Sequence, residues 1–383
     1  MRVLISCGEA SGDLYAGALV RELRALVPDV DVFGLGGPQF AAAGGRQIAD
    51  YRELSVNGLF EVIGKIPKLA AARSRIVAAA EATLPDVFVP IDFWGFNYRL
   101  AQAMRARGVP VVYYISPQLW ASRPWRMKSM RDVVSRVLVI FPFEEAIYRQ
   151  AGVPVEFVGH PLVEMTTAAV DSRQFLEARG LTFSAPTVAV LPGSRANEVS
   201  KILPDLIGAA SLIRSTVSDA QFVVARAPNL ADDLFEPVRR ANLTRTVIVE
   251  GDTDAVLGSA DVTVTASGTA TVQAALHDSP MVIVYRVSPL TYSLGRWLLT
   301  VDTFGMPNLI AGHRIVPELI QHDFTPAAVA REALSMLTDA KRAAQIREGL
   351  REVRQRLGSA GASHRAAKAI LAVSRERAAA TGH

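Results

Sequence analysis

The chain reads as an α/β protein of two successive domains, each a parallel sheet flanked by helices. Three observations predict this class. Short apolar runs of strand length alternate with amphipathic runs of helix spacing through most of the sequence, the rhythm of βαβ units. Small-residue turns stand where strand runs pass into helix runs, at Gly8–Asp13, Pro192–Arg195 and Ser267–Thr269. The 383 residues exceed what one hydrophobic core usually organises, so two domains are expected.

Composition narrows the function classes. Half the residues are apolar and 20% are charged, which describes a folded chain. The net charge of +4 favours acidic ligands or an anionic lipid surface, and no nucleic-acid partner is expected. Cys7 is the only cysteine, so no intrachain disulfide forms and nothing points to an oxidising compartment. Met1-Arg2 runs straight into an apolar strand, leaving no room for a signal peptide. No run of about 18 apolar residues is free of charges and breakers, so a cytoplasmic location without membrane spans is expected.

Val3–Ser6 is the first strand, and Gly8-Glu-Ala-Ser-Gly-Asp13 turns it into a helix carrying Leu19, Leu23 and Leu26. The spacing departs from GxGxxG. Glu9 and Asp13 offer carboxylates there, although helix capping by Ser11 or Asp13 explains the turn nearly as well. Val32–Gly37 repeats strand and glycine turn, and Phe40–Gly44 reads as a short helix. Leu54–Leu69 differs in character. It carries Leu59, Phe60, Ile63 and Ile66, with a basic flank at Lys65, Lys68, Arg73 and Arg75, a mixture that suits a lipid surface or a greasy ligand with a charged head. A core-facing helix with a solvated basic side is the simpler alternative. Pro67 is expected to interrupt any single long helix.

Asp86–Ile91 has the continuous apolar character of a buried parallel strand and ends at Asp92, before the aromatic loop Phe93–Asn97. Ligands of open α/β sheets bind at the carboxyl ends of strands, and a carboxylate beside apolar rings suits proton acceptance from a hydroxyl. Asp92 as an N-cap is the competing role. Arg99 to Arg136 holds eight Lys/Arg against one acid, Asp132, which favours a phosphate-bearing partner. Val109–Ile115, Val137–Phe141 and Val155–Val158 are the remaining strands before Gly159-His160-Pro161.

The second half repeats the rhythm, with strands at Thr187–Leu191, Gln221–Ala225, Thr246–Val249, Val262–Thr265 and Met281–Tyr285. Its first strand ends in Pro192-Gly193-Ser194-Arg195 and opens an amphipathic run near Val199–Arg214. Strand, glycine turn and helix aim N–H groups and a dipole at an anion, and Arg195 adds a forked cationic donor. Ala266-Ser-Gly-Thr-Ala-Thr271 is a second such turn, suited to a diphosphate. Pro307-Asn-Leu309 and Pro317-Glu-Leu319 read as irregular segments. From Pro326 the chain is helical and is expected to fray after about Arg375.

Taken together, Gly8–Asp13, Ile91-Asp92 with Phe96-Asn97, Ser116-Pro117 with Trp120-Ala121, Phe141-Pro-Phe-Glu144, Gly159-His160-Pro161, Leu191–Arg195, Ser267–Ala270, Pro307–Leu309 and Pro317–Leu319 resemble the lipid-A-disaccharide synthase family. The likeness runs in order over nearly the whole chain. It implies a GT-B fold: an acceptor-binding, membrane-associating Rossmann-like domain over 1–165, a UDP-sugar domain over 166–345, and C-terminal helices over 346–383. The two domains are expected to face each other across a cleft.

The implied activity is inverting and metal-independent, with no cofactor. It joins UDP-2,3-diacylglucosamine to 2,3-diacylglucosamine 1-phosphate and releases UDP, at an anionic inner-membrane surface of a Gram-negative-type bacterium. In this reading Asp92 is the general base, and Arg195 steadies the leaving UDP. Gly193, Ser194, Arg195, Glu198, Ser267, Gly268, Thr269 and Gln273 hold the nucleotide. Gly8, Glu9, Ser11, Asp13, Asn97, Leu59, Phe60, Ile63, Lys65 and Lys68 serve the acceptor and its acyl chains. The family often carries a second Asp shortly after the first, where this chain has Trp94-Gly95, and a Glu where it has Gln273. A UDP-N-acetylglucosamine 2-epimerase, the lipid-II-forming transferase and a non-catalytic nucleotide-sugar-binding module are the alternatives.

Overall fold

Runs such as Val3–Ile5, Val87–Val89 and Val188–Val190 bury every side chain, which is possible only where helices cover both faces of a sheet. The computed structural model describes all residues except 55–58, 118–125, 167–170, 229, 287–302 and 382–383, and not the side chains of 59–65, 378, 380 and 381. The chain divides into two units, Met1–Glu164 with Leu357–His383, and Met165–Arg356.

The first unit holds β1 (Arg2–Cys7), β2 (Asp31–Gly36), β3 (Arg46–Asp50), β4 (Val87–Ile91), β5 (Val112–Tyr114), β6 (Arg136–Val139) and β7 (Val155–Phe157). They form one sheet in the order β3-β2-β1-β4-β5-β6-β7. Its helices are α1 (Ala10–Leu26), α2 (Pro38–Ala42), α3 (Leu59–Thr83), α4 (Trp94–Ala106), α5 (Met127–Val133), α6 (Pro142–Gln150) and α7 (Leu162–Met165), the last ending at the boundary. The second unit holds α8 (Ser172–Glu177), β8 (Thr187–Leu191), α9 (Ala196–Thr216), β9 (Gln221–Arg226), α10 (Glu236–Ala241), β10 (Thr246–Glu250), α11 (Thr253–Gly258), β11 (Val262–Ala266), α12 (Thr269–Leu276), β12 (Met281–Tyr285), α13 (Met306–Ala311), β13 (Glu318–Ile320), α14 (Pro326–Thr338) and α15 (Ala340–Arg356). Its sheet order is β10-β9-β8-β11-β12-β13. The described pairings in both sheets are parallel.

Both sheets reverse their direction of growth once, between β1 and β4 and between β8 and β11. At such a switch point the loops leaving the two strands diverge to opposite faces and open a crevice at the carboxyl ends. Cys7 pairs with Ile91 and Leu191 with Thr265, so Gly8–Asp13 lies beside Asp92, and Pro192–Arg195 beside Ser267–Thr269.

The last helix, α16 (Ala362–Thr381), belongs to the first unit and packs on α1. Polar bonds also tie its start to the chain after β7. The Glu164 carboxylate accepts from the N–H groups of Gly361 at 2.5 Å and Ser363 at 3.1 Å, and Arg365 donates to the Val158 carbonyl at 2.8 Å. His160 N–H donates to Leu357 O at 2.9 Å.

Several sequence expectations are corrected. Pro67 lies inside a continuous helix of 25 residues. Proline removes one hydrogen bond locally, while Ala72, Ile76 and Ala80 form a buried stripe beyond it. Pro317–Leu319 is not irregular: Glu318–Ile320 pairs with β12 as an edge strand. The final helix continues past Arg375, where the Arg377 guanidinium binds the Pro85 and Asp86 carbonyls at 2.9 and 3.2 Å. β3 carries too little apolar pattern to be legible, with one buried residue in five.

Candidate active site

In the first unit, the switch point is built on a sharp turn. Asp92 and Phe93 take φ values of 44° and 53°, and Ile115 at the end of β5 takes 57°. Such left-handed non-glycine residues cost on the order of 1–3 kcal/mol each, so the surroundings must hold them. The Asp92 N–H donates to Ile115 O at 3.1 Å, while its carbonyl accepts from the Tyr113 hydroxyl at 2.6 Å and Asn97 Nδ2 at 2.8 Å. Gly8 is required by close approach, because a Cβ there would lie 2.1 Å from the Phe93 ring. The result is an exposed Asp92 presented on a rigid support. Phe93 stacks on Phe96, and Trp94 on Tyr98, with centroids 5.4 and 4.7 Å apart. Asp92 is therefore an exposed residue beside the rings rather than one sunk among them. Phe93, not Asp92, is the N-cap of α4, which removes the capping alternative.

Asp13 and Asn97 have structural work. The Asp13 carboxylate accepts from the N–H groups of Gly37, Gln39 and Phe40 at 2.7, 2.9 and 3.0 Å. It thus caps α2 rather than its own helix, whose N-cap is Glu9, and it is 2% exposed. Asn97 is fully buried, accepts from Ser6 Oγ at 2.6 Å and donates to the Ser6 and Asp92 carbonyls at 3.1 and 2.8 Å. Both side chains are engaged in these internal bonds. Glu9 is exposed and Ser11 half-buried at the same turn. Gly95, where the resemblance leads one to expect an Asp, is exposed with nothing within 4 Å of an added Cβ. The side chains of Leu59, Phe60, Ile63 and Lys65 lie outside the described residues, as do Trp120 and Ala121. On the described part of α3, Ile66 and Lys68 are exposed.

His160 is not placed for chemistry. It is 2% exposed between Tyr15 and Phe141, its Nδ1 accepts from Leu162 N–H at 3.1 Å, and burial lowers its pKa to about 3.

In the second unit, Gly193 takes φ 121°, and a Cβ there would meet Glu198 Oε2 at 2.8 Å. The turn brings Arg195 and Glu198 together, with Nη1 3.1 Å from Oε1. Arg195 is about half exposed and Glu198 less so. Arg195 is the N-cap of α9 and Gly268 that of α12, and neither supplies a side-chain capping bond. Two helix N-termini therefore leave adjacent strands with first-turn N–H groups available to an anion. Ser194, Gly268 and Thr269 are exposed, and Ser267 and Gln273 half-buried, around these turns.

Sequence reasoning missed Tyr285, which ends β12 beside this turn. Its phenol is pushed up by burial and by the Glu198 charge, with Arg195 opposing. It missed Tyr113 too. Strand position predicts burial for both and says nothing about their hydroxyls. It also missed that two of its motifs are bonded to each other: Asn308 Nδ2 donates to Glu318 Oε1 at 2.6 Å, and Glu318 accepts from Phe304 and Gly305 N–H at 2.9 and 3.0 Å.

Comparisons with known proteins identify the family and the fold. The family model LpxB, lipid-A-disaccharide synthetase, matches residues 3–373. A lipid-A-disaccharide synthase of Myxococcus xanthus is 41% identical over 370 residues, covering 97% of each chain. Among solved structures, UDP-GlcNAc 2-epimerase from Neisseria meningitidis gives a TM-score of 0.67 at 10% identity, covering 98% of this chain and all of that one. The calicheamicin glycosyltransferase CalG4 gives 0.61 at 15%, covering 97% and 98%. At such low identity these two speak for the fold alone, which is GT-B. On sequence and fold together, the chain belongs to the lipid-A-disaccharide synthetase family.

Proposed function

We propose that the chain joins UDP-2,3-diacylglucosamine to 2,3-diacylglucosamine 1-phosphate, giving the β-1,6-linked disaccharide 1-phosphate and UDP. The acceptor's 6-hydroxyl attacks the anomeric carbon of the donor as the bond to the UDP oxygen breaks. An α-linked donor and a β-linked product require one displacement, so one base and a stabilised leaving group suffice. Asp92 takes the hydroxyl proton. The N-termini of α9 and α12, with Arg195, Ser194, Ser267 and Thr269, receive the charge that develops on the diphosphate. Gln273 hydrogen-bonds the ribose through its amide, and Glu198 holds the Arg195 fork in place.

The observation that carries this reading is the exposed Asp92 carboxylate on a braced left-handed turn at the switch point of the first sheet. Asp92→Asn tests it. The variant is expected to keep its fold and its UDP affinity while kcat falls by about 10²–10⁴. A kcat within threefold of wild type would remove Asp92 from the chemistry.

Both substrates are diacylated, and each buried CH₂ contributes about 0.8 kcal/mol to membrane anchoring. No helix among the described residues is long and apolar enough to cross a membrane, so the chain meets these lipids from the surface. The amino-terminal part of α3, where Ile66 is 55% exposed beside Lys68, is the segment that does so in this reading.

A further inference from the structure

Tyr113 sits in the middle of β5, where a side chain ordinarily serves the core, yet its hydroxyl is engaged at the site. It donates to the main-chain carbonyl of Asp92 at 2.6 Å. The Asn97 amide donates to the same oxygen at 2.8 Å and is itself oriented by the Ser6 hydroxyl, 2.6 Å from Asn97 Oδ1. Tyr113, Asn97 and Ser6 are all fully buried. Asp92 and Phe93 occupy left-handed backbone at φ 44° and 53°, a region that non-glycine residues keep only when their surroundings over-determine it.

We propose that Tyr113 is a positioning residue for the transfer: its hydroxyl, together with Asn97, clamps the Asp92 carbonyl and so aims the Asp92 carboxylate at the acceptor hydroxyl. The inference rests on Asp92 being the base. A general base works only within about 2.6–3.2 Å of the proton it takes, and a misplacement of about 1 Å costs on the order of 10² in rate. With the Asp92 N–H held by Ile115 O and its carbonyl held by Tyr113 and Asn97, the peptide planes on both sides of the Asp92 Cα are fixed, and with them the direction of its Cα–Cβ bond. Burial holds the Tyr113 phenol well above its usual range, so the hydroxyl keeps the proton that it donates.

Tyr113→Phe removes the hydroxyl alone. In steady-state assays kcat is expected to fall about tenfold, with KM for both substrates within about twofold and the melting temperature nearly unchanged. A residue that acts only through the Asp92 carboxylate adds no further loss once that carboxylate is gone. Tyr113→Phe in the Asp92→Asn background should therefore leave the residual rate where it was. Wild-type kcat in Tyr113→Phe, or an equal loss in both backgrounds, overturns the clamp while leaving the base in place. A fully active Asp92→Asn enzyme overturns the base, and the clamp with it. Were Tyr113→Phe to unfold the chain, Ser6→Ala loosens the Asn97 arm of the clamp instead, by removing the bond to Asn97 Oδ1, and is read against the same outcomes.

Discussion

Asp13→Ala divides the first turn between structure and substrate. In the folded chain the Asp13 carboxylate serves three N–H groups, of which those of Gly37 and Phe40 are buried and that of Gln39 is on an exposed residue. Water can replace the carboxylate at Gln39. The two buried donors lose their acceptor at about 1–3 kcal/mol each, so the expected loss of stability is about 2–6 kcal/mol, enough to threaten a fold of ordinary stability. Asp13→Asn keeps one side-chain oxygen, and thus two of the three bonds in one orientation, and should lose about 1–2 kcal/mol. Urea denaturation measures both, and the acceptor KM is read at a temperature where all variants are folded. The reasoning is refuted if Asp13→Ala melts like wild type and instead raises the acceptor KM, because the carboxylate would then be serving the substrate.

Four further outcomes are expected. Arg195→Ala should weaken UDP binding and lower kcat by roughly 10²-fold, with lysine restoring only part because it lacks the fork; unchanged calorimetric affinity would move the nucleotide site elsewhere. His160 stays neutral when folded, with its pKa held at about 3 against an ordinary 6.5, so the unfolded chain binds the extra proton. Its contribution is intact above pH 6.5 and declines as pH falls toward 3, by about 1.4 kcal/mol per pH unit; His160→Asn should flatten that slope in pH-dependent denaturation. Gly95→Asp should fold normally and melt no lower than wild type, since an added Cβ meets nothing within 4 Å and an acid suits the first turn of α4; a drop beyond about 5 °C contradicts that geometry. Ile66→Ser with Lys68→Glu should reduce flotation with anionic liposomes about tenfold or more without lowering the melting temperature, because both residues are exposed.

Much of this protein is legible in its amino-acid order. Buried parallel strands have a signature in single runs, Val3–Cys7 or Val188–Leu191, and the turns that follow them are marked by glycine, serine and arginine. Those signals are local, so the elements and the motifs at their ends can be read in order, and motif order along the chain is sufficient to indicate the family. The partners of polar side chains are not encoded that way. Asp13 looks like a capping or binding residue of its own helix, and only the folding of β2 against β1 brings it to the N–H groups of Gly37, Gln39 and Phe40. Pro317–Leu319 looks like a break, and becomes an edge strand once β12 supplies its neighbour. Tyr113 reads as core in any strand pattern. Its hydroxyl finds the Asp92 carbonyl because parallel pairing sets β5 beside β4, a contact between residues 21 positions apart that no local periodicity encodes.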